Sequence, residues 1–578
     1  MQLAMKRDVL IAYVMLLAAV TQGGGLSRAV PAVERMPALP DPMCVREWQA
    51  VARSYYARIF GAGHTEPHAA VAQVDATAGT FRVPSYMDRE GAQESMACLG
   101  GVLGMRLVGL DVRAGSAFDY AQACKAWFDP ETGFYRHTCG QRGGDIHGDI
   151  YGYWPALLGM LFADLWPEDA EFVLQRDAAI TAFDSIARGC GCPDKPDFGV
   201  LGWDFTTGCS GGRHEPMNRL SHAPTVAWAL MVGARLRQDA AMAERARAAL
   251  RWQLGKKCGR YEMTFLPVVV AAARLNRFRG GEESPLDLDA AFSVFFGDYP
   301  EGTNTWAITA GTRCGGITCD GLDGARWGKG GFYAFSMGSL QGPAWLVPVA
   351  RYDTRYARAI GKYALHAANS ARLLQGYGLS GEQQDHALWK RTNDVDNLHF
   401  YEGLKSWSPD PARRYAPYAT GDPLLLGWGL GRKKIPHEEY LARRDAEFSN
   451  GCGNLAPYMG NQVGFLGGIL RLTNVPGVLA WDCLATDWFH EPAWPTTLVY
   501  NPYENTRAVE LLLPSCDRFF DAATGQCVTV ERSAVGRVRL TLGAGDARVL
   551  VAVPETAQVV RHADGRVTAG GRTLAFAP

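Results

Sequence analysis

Between about residues 45 and 472, apolar side chains recur at three- and four-residue intervals, interrupted by loops rich in Gly, Pro and Asp. That period predicts helices, with the clearest runs at 45–60, 153–165, 168–186, 225–236, 240–254, 262–278, 332–349, 354–374 and 460–470. The helices come in pairs. In 225–236 followed by 240–254, the first is almost wholly apolar and the second carries Arg and Glu on one face. Repeated along the chain, such pairs predict an inner ring of helices wrapped by an outer one.

From residue 475 the period changes. Short alternating or β-branched runs at 496–500, 508–513, 527–532, 537–542, 548–553 and 558–561 are separated by turn residues and read as strands. They predict an all-β module, a sandwich or jelly-roll-like unit packed on the helical part. Ahead of both, Lys6 and Arg7 precede an apolar stretch at 9–20 and a small, polar stretch at 21–29. This is the pattern of an export signal, and the apolar stretch is shorter than the about 20 residues a membrane-spanning helix needs. The expected division is a signal peptide at 1–29, a helical catalytic domain at 30–474 and a β-domain at 475–578. The mature chain is expected in the periplasm or outside the cell, without a membrane anchor.

Charge and composition narrow the function. Of 578 residues, 58 are basic and 59 acidic, for a net charge of -1 with no long Lys/Arg run, so the electrostatic footprint of a nucleic-acid binder is missing. Aromatics make up 11%, with 16 Trp and 22 Tyr, which suits either a large core or a cleft where rings stack on sugar faces. The 14 Cys are an even number, as disulfides in an exported protein would require, and Cys314 with Cys319 and Cys516 with Cys527 are local candidates. Zinc is the competing use for Cys190, Cys192, Cys209, Cys314 and Cys319, but none shows the Cys-x-x-Cys spacing of a structural site. No metal and no cofactor is expected.

Several local phrases carry a family resemblance. Trp127-Phe128-Asp129-Pro130-Glu131-Thr132-Gly133-Phe134-Tyr135 resembles a loop closing a helical hairpin, while Val499-Tyr500-Asn501-Pro502-Tyr503 and Asp521-Ala522-Ala523-Thr524-Gly525 resemble trailing β-domains. Together with the helix pairs, the chain resembles the six-hairpin glycosidases and the toroid polysaccharide lyases. The resemblance implies a mainly α fold, an (α/α)6-like helical toroid followed by an all-β sandwich domain, acting on a poly- or oligosaccharide. In that architecture the loops entering the inner helices meet at one mouth, so polar residues at the start of apolar helices are candidates.

Five segments qualify. Asp145, His147, Asp149, Tyr151 and Tyr153, followed by Trp154, alternate with apolar residues or Gly ahead of an apolar helix and would line one side of an extended segment. As an alternative, Asp149 is a helix cap and the tyrosines pack. Trp203 and Asp204 precede Asn218 and His222, which stand in the loop before Pro224, the first turn of the next helix. In toroid lyases such an Asn and His flank the substrate uronate; equally, Asn218 is a turn residue and His222 a core histidine. Tyr261 and Glu262 open an apolar helix, where a carboxylate is also favoured by the dipole. Asp320, Arg326 and Trp327 lie in a loop that could place Asp320 opposite Asp149. Last, Asn397, His399, Tyr401 and Glu402 form a polar-aromatic cluster. If helical, it puts His399 on one face with Glu402.

No Gly-x-Ser-x-Gly elbow, phosphate-binding loop, dinucleotide fingerprint or His-Glu-x-x-His helix is present. The leading expectation is an exported glycoside hydrolase using paired carboxylates, Asp149 with Glu262, and Asp320 or Glu402 as substitutes. A polysaccharide lyase using Tyr261 or Tyr151 as base or acid, His222 or His399 as base, and Asn218 with a nearby arginine to neutralise a uronate is the alternative. A non-catalytic glycan-binding protein is a third.

Overall fold

The computed structural model describes residues 27–61, 71–87, 94–113, 118–137, 150–199, 202–205, 207–210, 220–256, 259–260, 262–278, 284–297, 306–314, 316–327, 331–405, 418–420, 451–513, 518–528, 530–532 and 537–576. In chain order its longer helices are α1 (Trp48–Phe60), α2 (Ser95–Leu107), α3 (Ile150–Leu165), α4 (Ala170–Gly189), α5 (Ala223–Arg237) and α6 (Ala240–Gly255). They continue with α7 (Val268–Leu275), α8 (Leu288–Phe296), α9 (Ser336–Leu346), α10 (Ala357–Ala371), α11 (Ala387–Asn393) and α12 (Val463–Ile469).

Two classes of helix separate by burial and by how they begin. Helix α9 is buried along its whole length, as is α12, and α5 is buried from Ala223 to Ala234. These three, with α2 and α7, start without a side-chain cap. Helices α4, α6 and α8 instead start at Asp169, Asp239 and Asp287, whose carboxylates accept from backbone N–H groups of the first turn. The capped helices lie outside. The inner helices pack on each other in the sequence α2, α3, α5, α7, α9 and α12, and α12 packs on α2, so the series returns to its start.

Glycine permits that last contact. A Cβ on Gly464 of α12 would lie 2.3 Å from the Gly104 carbonyl oxygen and 2.4 Å from the Gly104 Cα of α2. The Tyr56 hydroxyl of α1 seals the crossing, accepting from the Gly464 N–H at 2.9 Å and donating to the Asn461 carbonyl at 2.8 Å.

A five-stranded antiparallel sheet is inserted between α8 and α12, which the helical period did not foresee. Its strands are β1 (Trp306–Ile308), β2 (Asp323–Trp327), β3 (Gly331–Phe335), β4 (Gly403–Lys405) and β5 (Tyr418–Thr420), in the order β5-β4-β3-β2-β1. The run at 332–349, expected to be one helix, therefore begins as strand β3. The expected loop around Arg326 and Trp327 is strand β2. The segment containing Asn397, His399 and Glu402 is not helical: α11 ends at Asn393, and Asn397 has a φ of 50°.

The C-terminal part is a two-layer β unit with its first strand at Leu470, five residues earlier than the change of period suggested. Strands β6 (Leu470–Leu472), β7 (Leu479–Asp482), β8 (Thr496–Tyr500), β9 (Arg507–Leu511), β10 (Arg518–Asp521) and β11 (Gln526–Val528) come first. They are followed by β12 (Glu531–Arg532), β13 (Val538–Leu542), β14 (Ala547–Val553), β15 (Val559–Arg561), β16 (Val567–Ala569) and β17 (Arg572–Ala575). The large sheet runs β6-β7-β8-β14-β10-β11, faced by β9-β13-β12, with β15-β16-β17 as a separate sheet.

Strand alternation divides two cores. Val549, Val551 and Val553 join Trp481, Leu498 and Phe520 in the core shared with the helices, where α10 packs on β8 and β14. Leu550 and Ala552 point the other way, to Val509, Leu511 and Leu540.

The expected disulfides do not form among the described residues. Cys319 is a buried thiol and Cys527 an exposed one. Among the described residues no three His, Cys, Asp or Glu side chains gather as metal ligands, and no helix is long and apolar enough to cross a membrane. Residues 1–26, and with them nearly all of the expected signal, lie outside the described part.

Candidate functional site

The N-terminal ends of the inner helices meet. Asn461 and Gln462, just before α12, donate to the Ala97 and Met96 carbonyls of the first turn of α2, at 3.0 and 3.1 Å. Gln341 of α9 reaches Gln462 at 3.3 Å. Thr225 at the start of α5 donates to the Thr264 carbonyl ahead of α7 at 2.7 Å, and Tyr153 at the start of α3 stacks on His222, the residue before α5, with ring centroids 3.9 Å apart. The dipoles of these helices give this end positive partial charge.

One carboxylate is held firmly in it. Tyr86, Tyr333 and Tyr458 all donate their hydroxyls to Glu402, Tyr333 at 3.2 Å and Tyr458 at 2.7 Å. The backbone is fixed as well: the Ser336 N–H, opening α9, donates to the Glu402 carbonyl at 2.8 Å, and the Ser336 hydroxyl to that of Tyr401 at 2.7 Å. The next residue must be small, because a Cβ on Gly403 would lie 2.3 Å from the Ala334 oxygen of the neighbouring strand. Beside Tyr333 stands Trp306, partly exposed, with ring centroids 5.5 Å apart.

A second carboxyl group behaves differently. Glu94 immediately precedes α2, yet its side chain does not cap the helix. Burial pushes its carboxyl up to about 7, even though a helix N-terminus favours the anion. Tyr458, which touches Glu402, feels both groups: its phenol is pushed well above its ordinary range by burial first and then by the charges of Glu402 and Glu94. One is thus clamped by three hydroxyls, while the other is held by burial as an acid near neutrality.

The other expected residues scatter. Glu262 belongs to this end. It opens a short 3-10 turn (Glu262–Phe265) that packs on α3, α5 and α9, and helix α7 starts only at Val268. Its φ of 43° is in the left-handed region, a costly conformation for a residue with a side chain. His222 is here too but is 1% exposed, and burial lowers its imidazole to about 3, which suits a core histidine better than a base.

Tyr153 and Trp154 are fully buried, and Trp203 is buried against Gly189, so none of the three can serve as an exposed ring platform. The Asp204 carboxylate accepts from the Thr207 N–H at 3.3 Å, as a turn residue does. Asp320 does not face the inner end. It is fully buried, accepts from the Thr312 N–H at 2.6 Å and lies 4.0 Å from His366 of the outer helix α10, because its loop threads between the sheet and that helix rather than toward the inner end.

His399 is buried and held through its backbone: its N–H donates to Asp394 at 3.0 Å, and its carbonyl accepts from Lys390 at 2.9 Å. Asn397 accepts from Arg46 through its carbonyl at 2.7 Å, away from Glu402. Asp145, His147, Asp149, Asn218 and Tyr261 fall outside the described residues, as do the side chains of Tyr151, Arg326 and Trp327.

Tyr86, Glu94, Trp306, Tyr333 and Tyr458 are the members that the sequence reading missed. Glu94 satisfied its own criterion, a polar residue entering an apolar helix, but the run at 95–107 interrupts its apolar residues with three glycines and was not among the clear helices. Tyr458 stands just before the run at 460–470 and carried the same signal. Nothing local marks Tyr86 or Tyr333, which reach Glu402 across 316 and 69 residues of chain.

No family model matches the chain, and no curated protein matches it. Among solved structures, it is similar to one titled glycoside hydrolase, at 11% identity and a TM-score of 0.32, covering 83% of this chain and 76% of that one. It is similar to the same degree, at 11% identity and a TM-score of 0.32, to a GH127 beta-L-arabinofuranosidase from Geobacillus stearothermophilus T6, covering 92% of this chain and 85% of that one. A further GH127 beta-arabinofuranosidase gives 11% and 0.32 over 93% of this chain and 85% of that one.

Proposed function

We propose that the protein is an exported glycoside hydrolase whose inner helices form an (α/α)6-like toroid, with Glu94 as the general acid and Glu402 as the second carboxylate. The observation that carries this reading is the pair itself: two carboxyl groups in unlike environments, one acidic near neutrality and one an acceptor of three hydroxyls, both acting on Tyr458. Glycosidic cleavage needs such a division, one group to protonate the leaving oxygen and one to stabilise the oxocarbenium-like centre or activate water. Uncapped helix ends favour the anion at Glu402, and Trp306 offers a flat face on which a sugar ring can stack. Glu262 stands on the same end as a third carboxylate for hydroxyl recognition. Aromatics and carboxylates suit a neutral sugar.

The test is incubation of the purified protein with neutral and uronic-acid polysaccharides, following new reducing ends and ultraviolet absorbance of unsaturated uronates together. Reducing ends without absorbance are expected, and Glu402→Gln should lower kcat by a factor of about a hundred or more with the circular dichroism spectrum unchanged. Absorbance rising with the reducing ends would replace hydrolysis by β-elimination. Full activity in Glu402→Gln would remove Glu402 from the reaction.

A further inference from the structure

A cleft of about 520 Å³ opens at the opposite end of the helices, where the C-termini of α5 and α7 meet the small sheet β15-β16-β17. Its lining includes Arg235, Arg274, Arg277, Arg351 and Arg566 against two carboxylates, Glu491 and Asp564. Basic residues in the last turn of α5 and α7 offset the helix dipoles, which accounts for Arg235 and Arg274. It does not account for Arg351 or Arg566, which come from other elements.

Four of the five arginines have internal partners. Arg351 pairs with buried Asp487, and Arg274 donates to the Trp488 and Phe489 carbonyls at 2.6 and 2.9 Å. Arg277 donates to the Tyr352 carbonyl at 2.7 Å, and Arg566 pairs with Asp564 at 2.7 Å. Arg235 is the exception: its guanidinium makes no hydrogen bond or ion pair among the described residues, and its Nε is buried. Burial, and then the like charge of Arg274, hold it below its ordinary value, as expected where positive charge is crowded. Tyr352 and Phe576 lie alongside, their ring centroids 5.2 Å apart.

We propose that this cleft binds an oxyanion (a sulfate, phosphate or carboxylate group), with Arg235 as the principal donor and Arg566 as the second. The excess of guanidinium over carboxylate groups in the lining, a guanidinium without a protein partner among the described residues and the flanking aromatic faces are the complement of such a group, free or carried by a sugar. The site is independent of Glu94 and Glu402.

Calorimetry at constant ionic strength with inorganic sulfate, inorganic phosphate, glucuronate and a sulfated disaccharide tests it on the full chain. At least one probe should bind, Arg235→Gln should weaken it about tenfold, and Glu491→Gln, which removes the nearer in effect of the two carboxylates, Glu491 and Asp164, whose charge Arg235 feels, should tighten it severalfold. The opposite signs of the two variants separate a charge-recognition site from general loss of fold. Tighter binding of the saccharides than of the free anions would identify a glycan as the source. Equal binding would identify the free ion. No heat with any probe, or identical affinity in Arg235→Gln, would overturn the proposal.

Discussion

Replacing Glu94 by Gln should make the protein more stable at high pH and leave it unchanged at low pH. In the folded state burial raises the carboxyl from its ordinary 4.5 to about 7. Below about 4.5 the group is neutral folded and unfolded and contributes nothing. Between about 4.5 and 7 the unfolded chain ionises while the folded one holds its proton, so stability falls as pH rises. Above about 7 both forms are ionised and the loss is constant. The full shift corresponds to roughly 3 kcal/mol at about 1.4 kcal/mol per unit, and discounting for partial exposure and the α2 dipole leaves roughly 1–2 kcal/mol.

The glutamine variant lacks this penalty. Its denaturation midpoint minus that of the wild type, followed from pH 4 to 9, should rise through that window and then level off. Activity should move oppositely, the wild type losing turnover above about pH 7 as the acid deprotonates and the variant being slow throughout. A midpoint difference flat with pH would refute a raised Glu94 and, with it, its role as the acid.

Two further outcomes follow from packing. Lys390→Met leaves buried Asp394 with only the longer contact to Arg58, at 3.4 Å, while Asp394 still accepts from the Leu398 and His399 N–H groups, so the loop leading to Glu402 should loosen. Because Arg58 remains, the loss by denaturant titration should fall at or below the lower end of the about 3–5 kcal/mol expected for a buried charge stripped of its partner, with a fall in kcat. Gly464→Ala should destabilise more than any exposed Gly→Ala exchange, because its Cβ meets backbone rather than a movable side chain; a melting temperature unchanged from wild type would contradict the close crossing.

The helices were legible because outer ones such as α4 and α8 bury a single face, which leaves a period, and inner ones such as α5 and α9 leave apolar runs of helical length. Of the strands, 496–500, 537–542 and 548–553 were read almost to the residue, since alternation between two cores leaves a period of two. The inserted sheet was not: Phe332, Tyr333 and Phe335 are as apolar as the helix they precede, and only pairing with β2 and β4 makes them a strand. Glu402 was named from local polarity. Of its tyrosine partners, Tyr86 and Tyr333 were invisible because they reach it across 316 and 69 residues of chain with no local mark, and Asp320 was misplaced because a Gly-Asp turn looks the same beside an outer helix as at a mouth.

The crossing of α2 and α12 also governs when the protein becomes competent. Tyr56 and Gly464 are 408 residues apart, and Tyr86 must find Glu402 across 316. A chain emerging from the ribosome holds Tyr86 and Glu94 long before Glu402 and Tyr458 exist, so no partial product that stops short of residue 402 carries both halves of the carboxylate pair. Turnover would thus report completion of the ring, and variants at the glycine crossing would be recognised by slow maturation before any loss of equilibrium stability.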